Sequence, residues 1–260
     1  MHQAVAGSRP LVFAHRGGSS LGPENTMAAF DRGLAAGADG LELDVRLSRD
    51  RIVVVHHDLV LGRTNSGTGP VRSRTADELA AFEVPTLADV LARYPQSRII
   101  VELKEQGADL ARAAVDDVRR AGARDRVSLG SFSVSALRAA RRSDQHVATS
   151  AGTMEVRLAL YRSWIGLSPG RVPYQAFQVP ETAGTTRVVS PRFVRLAHKA
   201  GLAVQVWTVD QPDDMRRLLE WGVDGIISDR PDIAVDVVND WATRQSTVDS
   251  PRSPNPPIDC

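Results

Sequence analysis

Three acidic residues occur in short apolar segments at a spacing that favours a shared site. Glu42 and Asp44 are two positions apart in "GLELDVRL", and Glu102 precedes Lys104 by two positions in "RIIVELK". Residues two apart on a β-strand project from the same face, and inward-facing carboxylates repel one another unless a cation lies between them. Three hard oxygen donors suit a divalent ion, with Mg²⁺ or Ca²⁺ expected first and Mn²⁺ as a further option. The pattern predicts a metal site; the alternative is that Glu102 pairs with an arginine and Asp44 caps a turn.

Two histidines stand at the ends of apolar segments. His15 ends "LVFAH", and His57 follows "RIVVVH". Histidine gives or takes a proton near neutral pH, so two of them on opposite sides of a scissile bond can serve as general acid and general base. His56 and His57 would point to opposite faces of a strand, and Asp58 favours His57 because this acid could orient its ring. Two ordinary structural histidines are the alternative.

Cationic and aromatic residues in the same segments suit a phosphate ester. Arg16 precedes Gly17 and Gly18, where a ligand can approach the backbone closely and meet a fork of donors. Lys104 would add a second cation on the inner face. Trp207 in "VWTVD" would form the floor of a pocket against an apolar or glycerol-like group, or simply belong to the core.

A repeated strand and helix pattern is available to bring these residues together. Eight strands, each followed by a helix, predict an α/β fold of the (β/α)₈ TIM-barrel type, in which functional residues lie at the C-terminal ends of the strands. The predicted strands are 11–15, 40–47, 98–104, 127–132, 146–151, 176–180, 203–209 and 225–229. The predicted helices lie near 24–36, 86–93, 108–121, 133–142, 155–162, 191–200, 212–221 and 231–243.

One additional apolar segment, "RIVVVHH" at 51–57, follows the second strand after only "SRD". This connection is too short for a parallel crossover, so the segment should return as a β-hairpin above the barrel. The hairpin would bring His57 toward the strand that carries Glu42 and Asp44. Residues 59–84, rich in Gly, Thr and Arg, should then form a short insertion before the next helix.

Length and composition limit the remaining possibilities. With 260 residues and 42% hydrophobic content, the chain can form one domain, predicted at 11–243, with an N-terminal extension at 1–10 and a disordered, Pro- and Ser-rich tail at 244–260. Its net charge of +1 comes from 32 basic and 31 acidic residues spread along the chain, which argues against binding to nucleic acid or an anionic membrane. The single cysteine, Cys260, excludes an internal disulfide. Without a signal segment or a run of about 20 apolar residues, we expect a cytoplasmic protein with no transmembrane segment.

Seven segments, in their order along the chain, resemble the motifs of a known family. They are "HRGG" with "PENT", "GADGLELDVRLSRD", "VVVHHD" with "RT", "VPTLADVL", "VELK", "VWTVD" and "GVDGIISDRPD". Together they are similar to the glycerophosphodiester phosphodiesterases, and the resemblance runs from about Leu11 to Asp232. It implies a barrel enzyme of the phosphoric diester hydrolase class (EC 3.1.4, with 3.1.4.46 the expected number). Such an enzyme uses a metal ion to release an alcohol and, typically, sn-glycerol 3-phosphate.

The resemblance also implies roles for individual residues. These are catalysis for His15 and His57, metal binding for Glu42, Asp44 and Glu102, and phosphate or substrate contact for Arg16 and Lys104. One histidine would activate the attacking oxygen and the other would protonate the leaving alkoxide, with His57 preferred as the acid. The attacking oxygen could belong to water or to the neighbouring glycerol hydroxyl, which would give a cyclic phosphate.

Two other functions stay open at this point. The insertion after His57 is shorter than in many bacterial members, which is similar to a subgroup that acts on lysophospholipids as a phospholipase D. The small-molecule substrate is therefore a glycerophosphodiester or a lysophospholipid. The sequence does not indicate an oligomeric state. Asn65 stands where the family usually has a second threonine, a minor change. A barrel that only binds a phosphorylated ligand is less favoured, because binding alone requires no acid–base pair.

Overall fold

Eight parallel strands form a nearly closed barrel in the computed structural model of the protein, which describes residues 9–248. In chain order the strands are β1 (Leu11–His15), β2 (Gly40–Leu47), β3 (Val53–Val55), β4 (Arg98–Leu103), β5 (Val127–Gly130), β6 (Ala148–Thr149), β7 (Ala176–Pro180), β8 (Thr182–Ala183), β9 (Thr186–Arg187), β10 (Ala203–Trp207) and β11 (Gly225–Ser228). The barrel strands pair in the order β6-β5-β4-β2-β1-β11-β10-β7, and a parallel bridge between Ser150 and Ala176 joins the two ends. The predicted (β/α)₈ fold is confirmed.

The strand β2 shows how the sequence places charges inside the barrel. All eight of its residues are buried, and its apolar residues belong to the main core: Leu41, Leu43, Val45 and Leu47. Because side chains alternate along a strand, Glu42 and Asp44 occupy the opposite face. Strands β1 and β4 pair with the two edges of β2, and the register places His15 beside Glu42 and Glu102 beside Asp44. The pairing of neighbouring strands therefore brings the acidic positions together.

Helices connect the barrel strands and cover the outside of the sheet. They are α1 (Met27–Ala35), α2 (Ala76–Ala80), α3 (Leu87–Arg93), α4 (Ala108–Arg120), α5 (Val134–Ser143), α6 (Thr153–Trp164), α7 (Pro191–Lys199), α8 (Pro212–Glu220) and α9 (Pro231–Val248). The prediction of a helix from residue 24 is wrong at its start, because residues 24–26 form a turn. Asn25 has a left-handed backbone conformation there, with φ of 58°, and the Thr26 hydroxyl caps α1 by accepting a hydrogen bond from Ala29 N.

The segment after β2 returns as the predicted hairpin, since β3 pairs antiparallel with β2. The insertion that follows contains a 3₁₀ turn at Val71–Ser73 and the short helix α2. It packs around its own apolar cluster, formed by Val54, Leu61, Val71, Ala76, Leu79 and Val84. A second ribbon, β8 with β9, was not predicted, because two-residue exposed strands carry no apolar pattern.

Two aspartates at the N-terminal end of the barrel join neighbouring strands. Asp39, just before β2, accepts the N–H of Val12 through Oδ2 at 2.7 Å and donates its own N–H to the Val12 carbonyl at 2.8 Å. Asp224, just before β11, makes the same two contacts with Val204, at 2.7 and 2.8 Å. These side chains replace ladder hydrogen bonds where the strands begin.

The C-terminal boundary differs from the prediction. Helix α9 continues to Val248, so residues 244–248 are helical although they were predicted to begin the tail. Trp241 packs against the core, and no Pro or Gly interrupts the helix after it. The rest of the predicted tail, 249–260, and residues 1–8 of the predicted extension lie outside the described residues. From residue 9 to residue 248, no helix is long and apolar enough to cross a membrane.

Candidate active site

A cavity of about 520 Å³ opens at the C-terminal ends of the barrel strands. It is lined by seven of the eight residues proposed from the sequence: His15, Arg16, Glu42, His57, Glu102, Lys104 and Trp207. The eighth, Asp44, does not line the cavity and has only 1% of its side chain exposed. The fold therefore brings the predicted site residues to one end of the barrel.

Three carboxylates meet at one side of this cavity. Glu42, Asp44 and Glu102 each offer an oxygen atom, and these three atoms lie within 4.8 Å of one another. Lys104 Nζ lies 2.9 Å from Asp44 Oδ1 and 3.1 Å from Glu102 Oε1, and Arg16 Nε lies 3.2 Å from Asp44 Oδ2. Two cations thus face three acidic groups, so the cluster keeps surplus negative charge if all three ionise.

Burial and repulsion shift the acidity of these carboxyl groups. Burial, reinforced by the charge of Asp44, raises the pKa of Glu42 to about 8. Burial likewise raises the pKa of Glu102, although Lys104 opposes the change. Burial acts in the same direction on Asp44, but Lys104 and Arg16 outweigh it and hold the pKa of Asp44 below its ordinary value. Near neutral pH the cluster therefore holds a proton that a nearby cation would displace.

The oxygen atoms of the cluster fit a divalent cation. Asp44 Oδ1 and Glu102 Oε1 are buried and make no well-formed hydrogen bond to the described residues, although Lys104 is at ion-pair distance. Buried oxygens of this kind are normally satisfied, and carboxylates are the ligands that hard divalent ions prefer. A divalent ion among the three groups would satisfy these atoms and lower the pKa of Glu42.

His15 is held between two acidic groups from different strands. Its Nδ1 lies 2.6 Å from Asp229 Oδ1, just after β11, and its Nε2 lies 3.8 Å from Glu42 Oε2. Burial opposes protonation of the ring, but Glu42 and Asp229 together raise the pKa of His15 above its ordinary value. Asp229 therefore fixes the ring through Nδ1 and leaves Nε2 directed toward the cluster.

His57 is positioned by the hairpin and by the residue that follows it. The guanidinium group of Arg46, on β2, donates two hydrogen bonds to the His57 carbonyl, at 3.0 and 2.7 Å. Asp58 Oδ1 lies 2.7 Å from His57 Nδ1, while Asp58 Oδ2 accepts from Arg63 Nε at 2.6 Å. Burial opposes ionisation of Asp58, but Arg63 and His57 lower its pKa to about 2. His56 is buried and lies outside the cavity lining, so the structure brings only His57 to the cavity.

The far wall of the cavity is apolar. Trp207 packs edge-to-face against Phe132, with ring centroids 5.8 Å apart, and also contacts a small core cluster inside the barrel. The two alternatives for Trp207, pocket floor and core residue, therefore both apply. Beyond it the wall continues with Val156, Leu160, Tyr161, Trp164, Val179 and Val188.

A family model described as the glycerophosphoryl diester phosphodiesterase family matches residues 15–233. This span contains all eight proposed site residues and every barrel strand except β1, of which it includes only the last residue, His15. The chain belongs to this family. Its members are phosphoric diester hydrolases, and the resemblance drawn from the sequence motifs is thereby confirmed.

Individual members of the glycerophosphoryl diester phosphodiesterase family match along most of the chain. "Probable glycerophosphodiester phosphodiesterase 2" of Mycobacterium tuberculosis is 36% identical over 245 residues, covering 88% of this chain and 90% of that protein. The glycerophosphodiester phosphodiesterase of Caldanaerobacter subterraneus is 29% identical over 249 residues, covering 88% of this chain and 98% of that protein. The crystal structure of glycerophosphodiester phosphodiesterase from Agrobacterium tumefaciens superposes with a TM-score of 0.71 at 27% identity, covering 87% of this chain and 99% of that one.

Two residues of the site were missed by the sequence analysis. Asn25 is buried, donates to Asp44 Oδ2 at 2.9 Å and accepts from the Asp44 N–H through Oδ1 at 3.2 Å. "PENT" served only as a family motif and as the start of a predicted helix, although asparagine is one of the few residues other than glycine that readily adopt a left-handed conformation. Asp229 was also missed, and its signal was an acidic residue at the end of a barrel strand.

Proposed function

We propose that this chain hydrolyses a glycerophosphodiester to an alcohol and sn-glycerol 3-phosphate. The observation that carries the proposal is a pair of cavity-lining histidines, His15 and His57, each bound at Nδ1 by its own aspartate. They share this cavity with the acidic cluster. Family membership supports the same reaction class.

The proposed cation site consists of Glu42, Asp44 and Glu102, with Mg²⁺ or Ca²⁺ as the expected ion and Mn²⁺ as the further option. When bound, the ion neutralises charge on the phosphoryl oxygens. Lys104 lines the cavity beside the cluster and provides a second positive charge for the phosphate. Arg16 also lines the cavity, but its guanidinium is already engaged by Asp44 and Glu24, so we expect it to orient the acids as well as the phosphate.

The two histidines supply the proton transfers. An Nδ1–H donated to an aspartate leaves Nε2 of each ring as the atom that exchanges a proton with substrate. We assign His15 Nε2 as the base that takes the proton of the attacking oxygen, which forms its bond to phosphorus while the bond to the alcohol oxygen breaks. His57 Nε2 then donates its proton to the departing alkoxide, and Asp58 holds the ring in place through Nδ1. Attack by water gives the product directly, whereas attack by the glycerol hydroxyl gives a cyclic phosphate that water opens in a second step.

A lysophospholipid remains the alternative substrate. The apolar wall that continues beyond Trp207 could contact an acyl chain as readily as a glycerol or head group. The two substrate classes are separated by measuring kcat/KM for glycerophosphocholine and for lysophosphatidylcholine with the same preparation. A clear preference for glycerophosphocholine supports the main proposal, and a preference for the lyso form replaces it with phospholipase D activity. The cytoplasmic location expected from the sequence is a separate prediction, which the comparison of substrates does not test.

The reaction is tested by following choline and sn-glycerol 3-phosphate released from glycerophosphocholine. The chain should be treated with a chelator and then assayed with Mg²⁺, Ca²⁺ and Mn²⁺ in turn. Both products should appear in equal amounts and only after a metal ion is restored. If no diester in a panel is cleaved with any of the three ions, the binding-only barrel becomes the better explanation.

The proton-transfer scheme is tested by replacing each histidine in turn. His15→Ala and His57→Ala should each lower turnover by about 10²- to 10⁴-fold, which is the usual effect of losing a general acid or base. His146, which is exposed and outside the cavity lining, provides the matched control, and His146→Ala should retain full turnover. Near wild-type activity in either cavity variant contradicts the scheme.

A further inference from the structure

Helix α6 and the loop after it expose an unusual number of apolar side chains. Ten large apolar side chains are exposed in the described part of the chain, and six of them lie between residues 154 and 167. We name these six the α6 face: Met154, Leu158, Tyr161, Trp164, Ile165 and Leu167. A contiguous exposed apolar surface of this kind marks a site that contacts something other than water.

The spacing of these residues places them on one side of the helix. Met154, Leu158, Tyr161 and Ile165 follow one another at intervals of four, three and four, which is the repeat of a single helical face. The other side of α6 is already buried against the barrel, through Ala159, Leu160 and Ser163. Helix α6 is therefore apolar both toward the barrel and toward the outside.

Other helices of the barrel do not share this property. The exposed positions of α4 carry Asp109, Arg112, Arg119 and Arg120, and those of α8 carry Asp213, Arg216 and Glu220. Both helices have the usual arrangement of a core-facing apolar side and a charged outer side. The apolar outer side is thus a local property of α6 and not a general feature of the barrel.

Positive charge surrounds the α6 face. Between residues 153 and 171 the sequence contains Arg157, Arg162 and Arg171, and its one acidic residue is Glu155. Glu155 is held in an ion pair with Arg141 of α5, at 2.7 Å. Arg162 donates to a backbone carbonyl, at Ser168, so its charge is not cancelled in that contact. The surface therefore combines exposed apolar side chains with net positive charge.

The α6 face is continuous with the mouth of the catalytic cavity. Tyr161 and Trp164 belong to the face and also line the cavity, and their rings lie 5.1 Å apart. Phe132, which is exposed as well, joins them at the mouth. Tyrosine and tryptophan are favoured where an apolar phase meets water, because each ring has an apolar body and a polar group.

We propose that the α6 face docks on an anionic phospholipid surface. The helix would lie in the plane of the interface, with its apolar side chains among the acyl chains and its arginines at the lipid phosphates. A second copy of this chain is the less favourable occupant, because a two-fold interface would bring Arg157 and Arg162 of one copy close to the same residues of the other. The docking is independent of the hydrolysis proposed above, since binding to a surface requires no turnover.

Flotation of the full chain with extruded vesicles tests this docking. Wild-type protein should float with vesicles of phosphatidylcholine and phosphatidylglycerol, and much less with vesicles of phosphatidylcholine alone. The triple variant Met154→Gln, Leu158→Gln and Ile165→Gln changes only residues outside the cavity lining. It should lower binding by about tenfold or more, because three apolar contacts with the lipid are lost. Ile52→Gln, on an exposed apolar residue of the hairpin turn, is the matched control and should bind like wild type.

Further measurements check the fold of the triple variant and distinguish a lipid surface from a second copy of the chain. Circular dichroism and turnover of water-soluble glycerophosphocholine should be unchanged in the triple variant, which shows that its fold is intact. Failure of wild-type protein to bind anionic vesicles, or equal binding by the triple variant, overturns the proposal. Sedimentation that shows a wild-type dimer abolished by the same three changes also overturns it and assigns the face to a second copy.

Discussion

The two ends of the barrel use carboxylates in opposite ways. At the N-terminal end, Asp39 and Asp224 each accept a backbone N–H from a neighbouring strand and also contact a cationic group. The cationic partners are Arg9 for Asp39 and His198 for Asp224, each with a nitrogen 2.8 Å from a carboxylate oxygen. At the C-terminal end, Glu42, Asp44 and Glu102 instead face one another across less than 5 Å.

This difference separates a structural use of charge from a functional one. A carboxylate with a complete set of donors stabilises the strands it joins and has no affinity left for a ligand. A group of carboxylates with surplus charge costs stability, and the cost is recovered only when a cation or substrate enters. Both arrangements occur along one short segment, with Asp39 just before the first residue of β2 and Asp44 within the strand. Substitutions at the two ends should therefore affect different properties.

Among carboxylate substitutions at the two ends of the barrel, the largest expected effect is that of Glu42→Gln. Turnover should fall by about 10³-fold, because the variant lacks a proposed metal ligand. The metal-free protein should become more stable at pH 7, by up to roughly 3 kcal/mol, since the native state no longer has to accommodate a buried group whose pKa is raised to about 8. Chemical denaturation of chelator-treated protein, together with the product assay, measures both changes. If Glu42→Gln lowered the stability and left turnover unchanged, Glu42 would have a structural role like that of Asp39 and Asp224.

The next effect is expected at Asp229, which positions His15. Asp229→Asn should lower kcat by about 10²-fold with little change in KM, because the ring of His15 loses a charged acceptor at Nδ1 and an amide NH₂ that faces Nδ1 would favour the other tautomer. Burial opposes protonation of His15, and Asp229 is one of the two acids that raise its pKa. The acidic limb of the kcat/KM profile should therefore move to lower pH in the variant. An unchanged profile would indicate that Asp229 has only a structural role.

A smaller effect, on stability alone, is expected for Asp224 at the N-terminal end of the barrel. Asp224→Ala leaves the Val204 N–H without its acceptor and should lower the free energy of unfolding by about 2 kcal/mol. Turnover at a temperature where the variant is folded should be unchanged, because Asp224 lies at the end of the barrel away from the cavity. Urea denaturation gives the first quantity and the product assay gives the second. Asp39→Ala is the matched variant, just before β2, and should behave in the same way.

The smallest effect is a pH dependence of stability at His198. The hydrogen bond to Asp224 raises the pKa of His198 above its ordinary value of 6.5, so the folded state favours the charged ring. The resulting stabilisation is complete below about pH 6 and is lost as the pH rises through the raised value. The difference in Tm between wild type and His198→Gln should therefore shrink as the pH rises from about 5.5 through the raised pKa of His198. A constant difference would mean that the pKa of His198 is the same in the folded and unfolded states, so that the contact with Asp224 does not favour the charged ring.

Local patterns in the sequence were sufficient to predict the barrel and to select residues that the structure brings together at one cavity. The spacing of Glu42 and Asp44 sets a shared face whatever surrounds the strand, because the side-chain period of a β-strand is two. The short connection before residues 51–57 required a hairpin, and the hairpin brought His57 to the cavity. The family motifs then implied catalytic and binding roles for residues that had already been selected because their side chains were expected to face into the barrel.

Other features depended on contacts between distant parts of the chain. Asp229 meets His15 across 214 residues because β1 and β11 are neighbours in the closed barrel, and no local pattern records that pairing. Asn25 reaches Asp44 only because its turn has a left-handed residue. The balanced net charge argued against an anionic membrane, yet the structure places the apolar α6 face and the arginines around it at the cavity mouth. Sequence alone determined which residues share a face; the tertiary structure decided which faces meet and which stay exposed, because burial depends on long-range packing.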